Sequence, residues 1–272
     1  MSKIKKALQK ARQERKTFLG DEKHTEPKGR TVPSTVEPFV EVVYSQTRCV
    51  HVDREKLIDG KISSILEKDE IADQYKLLRT TILSRMRHNR YNTVEVTSFK
   101  ERDGKTLTCV NLAITLAKES RQNVLLVDMD LRRPRIHKVL GIDPEPGLSD
   151  YFLNDTPLKD ILIHLDIERL TILPAGGRMD NSTEIIGSHR MEALIREIRT
   201  RYEDRYIIFD TPALNTCSDP LVLSSYVDAI VLVARAGHTT TEDITSGMAM
   251  LKGKTILGIV LNDSGTGRGW TY

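Results

Sequence analysis

The chain has 272 residues, enough for one large domain with a substantial core, or a domain with a tail, and 41 Lys and Arg against 38 Asp and Glu leave a formal net charge of +3. Charges of both signs in that balance describe a solvated globular surface and give no basic footprint for nucleic acid. Cys49, Cys109 and Cys217 have neither paired nor metal-ligand spacing, which points to free thiols in a reduced compartment and argues against zinc.

Residues 1–63 read as a basic helix followed by an irregular extension. In MSKIKKALQKARQERK, Ile4, Ala7, Leu8 and Ala11 recur at helical spacing among Lys and Arg. One reading is a solvated terminal helix; the other docks it on a partner or on an anionic membrane surface. The stretch lacks the apolar core of a signal peptide, and no apolar run reaches the roughly 20 residues of a membrane span. A cytoplasmic protein is expected, held at the inner face of a membrane through a partner if at all. From Thr17 to Val52 the chain is polar and carries Pro27, Pro33 and Pro38, so one short strand at FVEVVY is the most it should contain.

Residues 64–90 restore a 3.6-residue period through Ile71, Tyr75, Leu78, Ile82 and Met86, which predicts a helix with one apolar face. Beyond it, the β-rich runs NTVEVTS, NVLLVDM, LTILPA, RYIIFDT, AIVLVAR and ILGIVLN alternate with amphipathic segments near residues 105–120, 189–202, 218–226 and 241–252. Runs apolar on both faces and separated by helices indicate an α/β fold, a mostly parallel sheet with helices on both faces. Ligands in such a fold sit at the carboxyl ends of the strands.

The first of those ends is TSFKERDGKTLTCVNLA, residues 97–113. A strand, a loop and Gly104-Lys105-Thr106 opening a helix have the layout of a phosphate-binding loop, in which backbone N–H groups and Lys hold phosphates and a Thr hydroxyl binds magnesium. The general pattern has glycine where this chain has Phe99. Two further strands end in acids: Asp128 and Asp130 in VLLVDMD, and Asp210 in YIIFD. Three carboxylates facing Lys105 and Thr106 would suit magnesium binding and general-base work in phosphoryl transfer.

The segments VLLVDMDLRRPRIHKVLG, EPGLSDYF, LTILPAGG, YEDRYIIFDTPALNTCSDPLVLSSYVDAIVLVARAGHTT and LGIVLND, in this order, resemble the bacterial protein-tyrosine kinases of capsule and exopolysaccharide systems. That family is built on a P-loop ATPase fold of the MinD and ParA kind, and DLRRP separates it from the partitioning ATPases. MSKIKKALQKA, with no membrane span, is similar to the cytoplasmic, exosortase-associated subgroup. The resemblance implies ATP and Mg2+ as cofactors and a kinase domain over residues 64–264. It makes the loop from Arg102, Asp103 and Gly104 through Lys105, Thr106 and Leu107 the nucleotide-binding segment. Of Asp128 and Asp130, one would activate the acceptor hydroxyl and the other would support the metal, with Thr106 and Asp210. Arg132 and Arg133 fall on the family's paired arginines, near the phosphates or a subunit contact, and Asn262 falls where an adenine contact is expected. Asp73, Lys76 and Arg79 stand in the family's oligomerisation motif, with Asp for Glu and Lys for Arg. The implied partners are further copies of the chain and a membrane polysaccharide co-polymerase that activates it.

Two departures stand out. Glu101 and Arg102 replace the family's Pro-Gly, although Arg tolerates positive φ and close backbone approach less readily than glycine. The family's tyrosine-rich tail is reduced here, in residues 265–272, to the single acceptor Tyr272, on a Gly-rich segment able to reach a neighbouring active site. The expected function is therefore an ATP-dependent tyrosine autokinase acting in trans and regulating polysaccharide synthesis or export. A MinD-like ATPase switch and a catalytically weakened nucleotide-binding scaffold are the alternatives.

Overall fold

The computed structural model describes residues 48–66, 69–119, 123–167, 169–200 and 205–265. The expected N-terminal helix, the FVEVVY strand and Tyr272 lie outside the described residues. The described chain opens with a short strand β1 (Arg48–Val50), helix α1 (Arg54–Asp59) and a 3-10 turn (Ser63–Ile65). The long helix α2 (Glu70–Asn89) follows, started by the Asp69 carboxylate, which accepts the Ala72 N–H at 2.8 Å, and stopped by Arg90 in the left-handed region at φ 58°.

The alternating segments form as the periodicity predicts: β2 (Thr93–Ser98), α3 (Lys105–Glu119), β3 (Asn123–Asp128), β5 (Leu170–Leu173), α8 (His189–Thr200), β6 (Arg205–Asp210), α9 (Asp219–Leu223), β7 (Ala229–Arg235), α10 (Thr241–Met250) and β8 (Ile256–Asn262). Local pattern does not foretell the short elements between them, which are α4 (Ile136–Leu140), α5 (Leu148–Asn154), α6 (Leu158–Ile161), β4 (Ile163–Leu165) and α7 (Ser182–Ile186). The sheet runs β1-β4-β5-β3-β6-β2-β7-β8, and every pairing is parallel except β4 against β5. The chain thus leaves β2 through α3 and crosses over β6 before returning in β3.

Helix α3 is buried nearly all round, because it fills the space between the sheet and α2. Cys109, Val110, Leu112, Ala113, Ile114, Leu116 and Ala117 all lie in one cluster with Val94 and Val96 of β2. At the first turn of α2, Ala72 rather than Ile71 faces inward; Ile71 is 51% exposed. Asp73, Lys76 and Arg79, the residues of the oligomerisation motif, do not share one open face. Asp73 and Lys76 pair with each other at 2.7 Å on the surface, whereas Arg79 is buried and its Nη1 donates to the Thr115 carbonyl at 3.3 Å. Six residues of helix rotate Arg79 well away from Asp73, and here that rotation carries it onto α3.

The other face of β2 is polar and fixes the chain after β6. Thr97 Oγ1 donates to the Pro212 carbonyl at 2.6 Å, and Thr211 Oγ1 donates to Glu95 Oε1 at 3.0 Å. Backbone bonds from Thr211 N to the Val96 carbonyl and from Leu214 N to the Ser98 carbonyl complete the seam. At the opposite end of the strand, Asp228 accepts from Asn92 N, Thr93 N and Thr93 Oγ1 and from Arg199, which sets where β2 begins.

Burial pushes the Glu95 carboxyl up to about 8, tempered by the Thr211 hydroxyl and the Lys254 charge. The folded chain therefore keeps Glu95 protonated where the unfolded chain ionises it, so its contribution is full below the ordinary carboxyl range and is lost as pH rises to about 8. Glu95→Gln removes that dependence. In urea denaturation the wild type should lose roughly 3–5 kcal/mol more stability than the variant on going from acidic pH to above 8; parallel pH profiles would show that Glu95 is solvated and ionised.

Candidate active site

The site is set by strand register. Asp128, at the end of β3, lies opposite Asp210, at the end of β6, and Asp210 also neighbours Val96 of β2, two residues before the loop that leads into α3. Both carboxylates are completely buried. Asp128 is occupied by backbone: its Oδ2 accepts from Arg135 N and Ile136 N at 3.1 and 3.0 Å, where α4 starts, and its Oδ1 accepts from Asp130 N at 3.3 Å. Asp130 Oδ1 holds the Arg133 N–H at 3.1 Å, and its Oδ2 takes Lys105 Nζ at 2.9 Å. Neither Asp210 oxygen has a hydrogen bond of acceptable geometry, and Lys105 Nζ stands 3.9 Å from Oδ1.

Three buried or nearly buried carboxylates thus face one ammonium. Burial and the Asp210 charge raise the Asp128 pKa, and burial also raises that of Asp210, restrained by Lys105 and the nearby Thr106 hydroxyl. Burial alone would lower Lys105, but Asp210, Asp130 and Asp128 outweigh it and hold the amine protonated. The orphaned Asp210 oxygens and the excess negative charge suit a divalent cation. Among the described residues no three His, Cys, Asp or Glu converge into a metal cage. Magnesium does not require one, since it is commonly held by one or two carboxylates plus substrate phosphates.

Packing accounts for the irregular loop. Phe99, standing in the usual glycine position, turns away from the site into a cluster with Leu214, Ile230, Leu232 and Leu251, and α10 approaches it through Gly247, where a Cβ would meet Phe99 at 2.6 Å. Arg102 takes the left-handed conformation at φ 67°, where a glycine would be unstrained. Asp103, fully buried, anchors the turn: Oδ2 accepts from Lys100 N at 2.8 Å, and Oδ1 meets Thr239 Oγ1 at 2.9 Å and His238 Nδ1 at 2.8 Å. Asn262 donates from Nδ2 to the Asp103 carbonyl at 2.8 Å, so its amide braces the loop backbone. Gly104, at φ 95°, has no room for a side chain, because an added Cβ would lie 2.1 Å from that same Nδ2.

A cavity of about 450 Å³ opens above the start of α3 and is lined by Lys105, Thr106, Asp130, Arg132, Arg133 and Arg178, among others. Gly104 and Leu107 also line it, as do Glu101 and Arg102, and Glu101 pairs with Arg133 at 2.7 Å across its mouth. Asp128 and Asp210 lie beneath. Gly104, Lys105, Thr106 and the three acids are legible in the sequence as site residues. Arg135, in the same turn as Arg132, and Arg178, His238 and Thr239, from loops distant in the chain, are not legible there as site residues.

A loop of this form at the carboxyl end of a central parallel strand, leading into a helix across acidic strand ends, defines a P-loop nucleotide-binding protein. A protein-family model described as an AAA domain matches residues 91–255. The tyrosine-protein kinase YwqD of Bacillus subtilis is 29% identical over 194 residues, covering 70% of this chain and 80% of its own. Etk of Escherichia coli is 30% identical over 196 residues, but this chain spans only 27% of its length. The solved kinase domain of Etk superposes with a TM-score of 0.68 at 27% identity, covering 78% of this chain and 84% of that domain. MinD of Pyrococcus horikoshii, solved with Mg-ADP, follows at TM-score 0.53 and 26% identity, covering 62% of this chain and 69% of its own. The chain belongs to the AAA-domain family of P-loop proteins and, within it, to the bacterial protein-tyrosine kinases.

Gly104→Ala should weaken nucleotide binding by about 10-fold or more while the chain stays folded, because both the positive φ and the Asn262 contact oppose a side chain. Titration with a fluorescent ATP analogue, beside circular dichroism, measures this; unchanged affinity would mean that the loop does not hold phosphates in this conformation.

Proposed function

We propose that the chain is an ATP-dependent tyrosine autokinase that transfers the γ-phosphate to Tyr272 of a neighbouring copy. The observation that carries the reading is Asp210, a buried carboxylate with neither oxygen hydrogen-bonded, side by side with Asp128 beneath Gly104, Lys105 and Thr106. Relatives named as tyrosine-protein kinases support the reaction class.

Thr106 and Asp210 would hold Mg2+, which when bound neutralises charge on the phosphate oxygens. Lys105, kept protonated by the three acids, lies against Asp130 and is placed to neutralise the transferring group at the cavity floor. Asp130 is the member of the acidic trio that lines the cavity, so it is the carboxylate that an incoming tyrosine hydroxyl can reach. As the phenol oxygen bonds to the γ-phosphorus and the bridge to ADP breaks, Asp130 takes the phenol proton. Asp128, enclosed by the Asp130, Arg135 and Ile136 N–H groups, holds the turn that carries Asp130. Arg132 stabilises the charge spread over the phosphoryl oxygens.

Asp73 and Lys76, exposed on α2, are the surface offered to a neighbouring subunit, and Asn262 reaches the nucleotide only through the loop it braces. No helix among the described residues is long and apolar enough to cross a membrane. Etk is more than three times longer than the stretch matched here, and a membrane polysaccharide co-polymerase is the partner proposed to activate this chain in polysaccharide synthesis or export.

Mass spectrometry of the full chain after incubation with magnesium and ATP tests the proposal. Phosphate is expected on Tyr272 and should be lost in both Tyr272→Phe and Lys105→Met. ATP hydrolysis with no phosphotyrosine would favour a MinD-like switch, and phosphate on other tyrosines alone would remove the tail from the mechanism.

A further inference from the structure

Arg132 reaches the phosphate cavity from the turn after β3, yet one edge of its guanidinium is held from behind. Its Nε stands 3.5 Å from Asp219 Oδ2, and its Nη2 donates to Thr183 Oγ1 at 3.3 Å. Asp219, the first residue of α9, is fully buried, and it also accepts from Ser182 Oγ at 2.5 Å and from Thr183 Oγ1. Two hydroxyls satisfy hydrogen bonds but bring no charge, and a carboxylate buried without a cation is costly. Arg132 supplies that cation, with its side chain still one-third exposed on the cavity side. Among the described residues its Nη1 makes no hydrogen bond. Nε meets Asp219 as an ion pair without a hydrogen bond and Nη2 is hydrogen-bonded to Thr183, so the guanidinium plane has a preferred orientation, which an ammonium would lack.

We propose that Asp219, with Thr183, is a positioning residue that fixes Arg132 as the cation stabilising the transferring phosphoryl group. The proposal rests on the reading of the cavity as the phosphate site. It makes the helix pair α7 and α9 part of the reaction's electrostatics. Bland packing would ask of Asp219 only that it tie α7 to α9, and that role would not depend on Arg132.

The test is a double-mutant cycle on the full chain with magnesium and ATP, following phosphotyrosine formation and nucleotide affinity. Asp219→Asn and Arg132→Ala should each lower kcat by about 10-fold or more with KM for ATP changed less than about 3-fold, the sign of an interaction made mainly in the transition state. In the Arg132→Ala background, Asp219→Asn should cost nothing further. An equal loss in both backgrounds would overturn the proposal, since Asp219 would then act without Arg132. Should Asp219→Asn unfold the chain, Thr183→Val carries the same cycle with a smaller expected loss. Full activity of Arg132→Ala beside an inactive Lys105→Met would overturn the proposal and leave the phosphate site standing. Full activity of both would overturn the site itself.

Discussion

Two buried carboxylates side by side are the constraint around which this molecule is arranged. Parallel pairing of β3 with β6 places Asp128 against Asp210, and burial makes their joint ionisation costly. Everything nearby answers that charge. Backbone N–H groups at the start of α4 take Asp128, Lys105 leans back from α3 onto Asp130, and the Asp210 oxygens stay open to whatever cation arrives with the phosphates. A site left electrostatically incomplete in this way favours a ligand that brings positive charge with its phosphates, as a magnesium nucleotide does.

The same logic extends outward from the carboxylates. Arginines populate the cavity rim, and each described one with an ion-pair partner is restrained by a different acid: Arg133 by Glu101, Arg178 by Asp180, Arg132 by Asp219. The first two pairs are exposed and weak, while the third has a fully buried acid and is correspondingly stiffer. Burial of the counter-ion, more than the presence of arginine, separates a cation with a set direction from a flexible one.

Departures from the phosphate-loop pattern are absorbed by packing. Phe99 finds its own apolar cluster because α10 offers Gly247, and Arg102 accepts a strained φ because Asp103, His238, Thr239 and Asn262 hold the turn on either side. With Gly104 as its only glycine the loop depends on these braces, which come from the β7 and β8 ends, more than 130 residues away in the chain. Identity near 30% with kinase relatives is compatible with this, since the phosphate site needs backbone shape more than particular side chains.

The sequence by itself determined the six longer strands, the helices α2, α3, α8, α9 and α10, the phosphate loop and the acids at the strand ends, because each is written in local periodicity or in a short motif. It also carried the resemblance to the tyrosine kinases. Tertiary structure alone decided that β1 and β4 join the sheet, since runs of three residues bury too little to announce themselves. It turned Arg79 onto α3, because the rotation of a helix is set by what packs against it. It also placed Asp219 behind Arg132 and Thr239 behind Asp103. Those pairs join residues 87 and 136 positions apart, and no local pattern records a contact that exists only once the sheet has closed the distance.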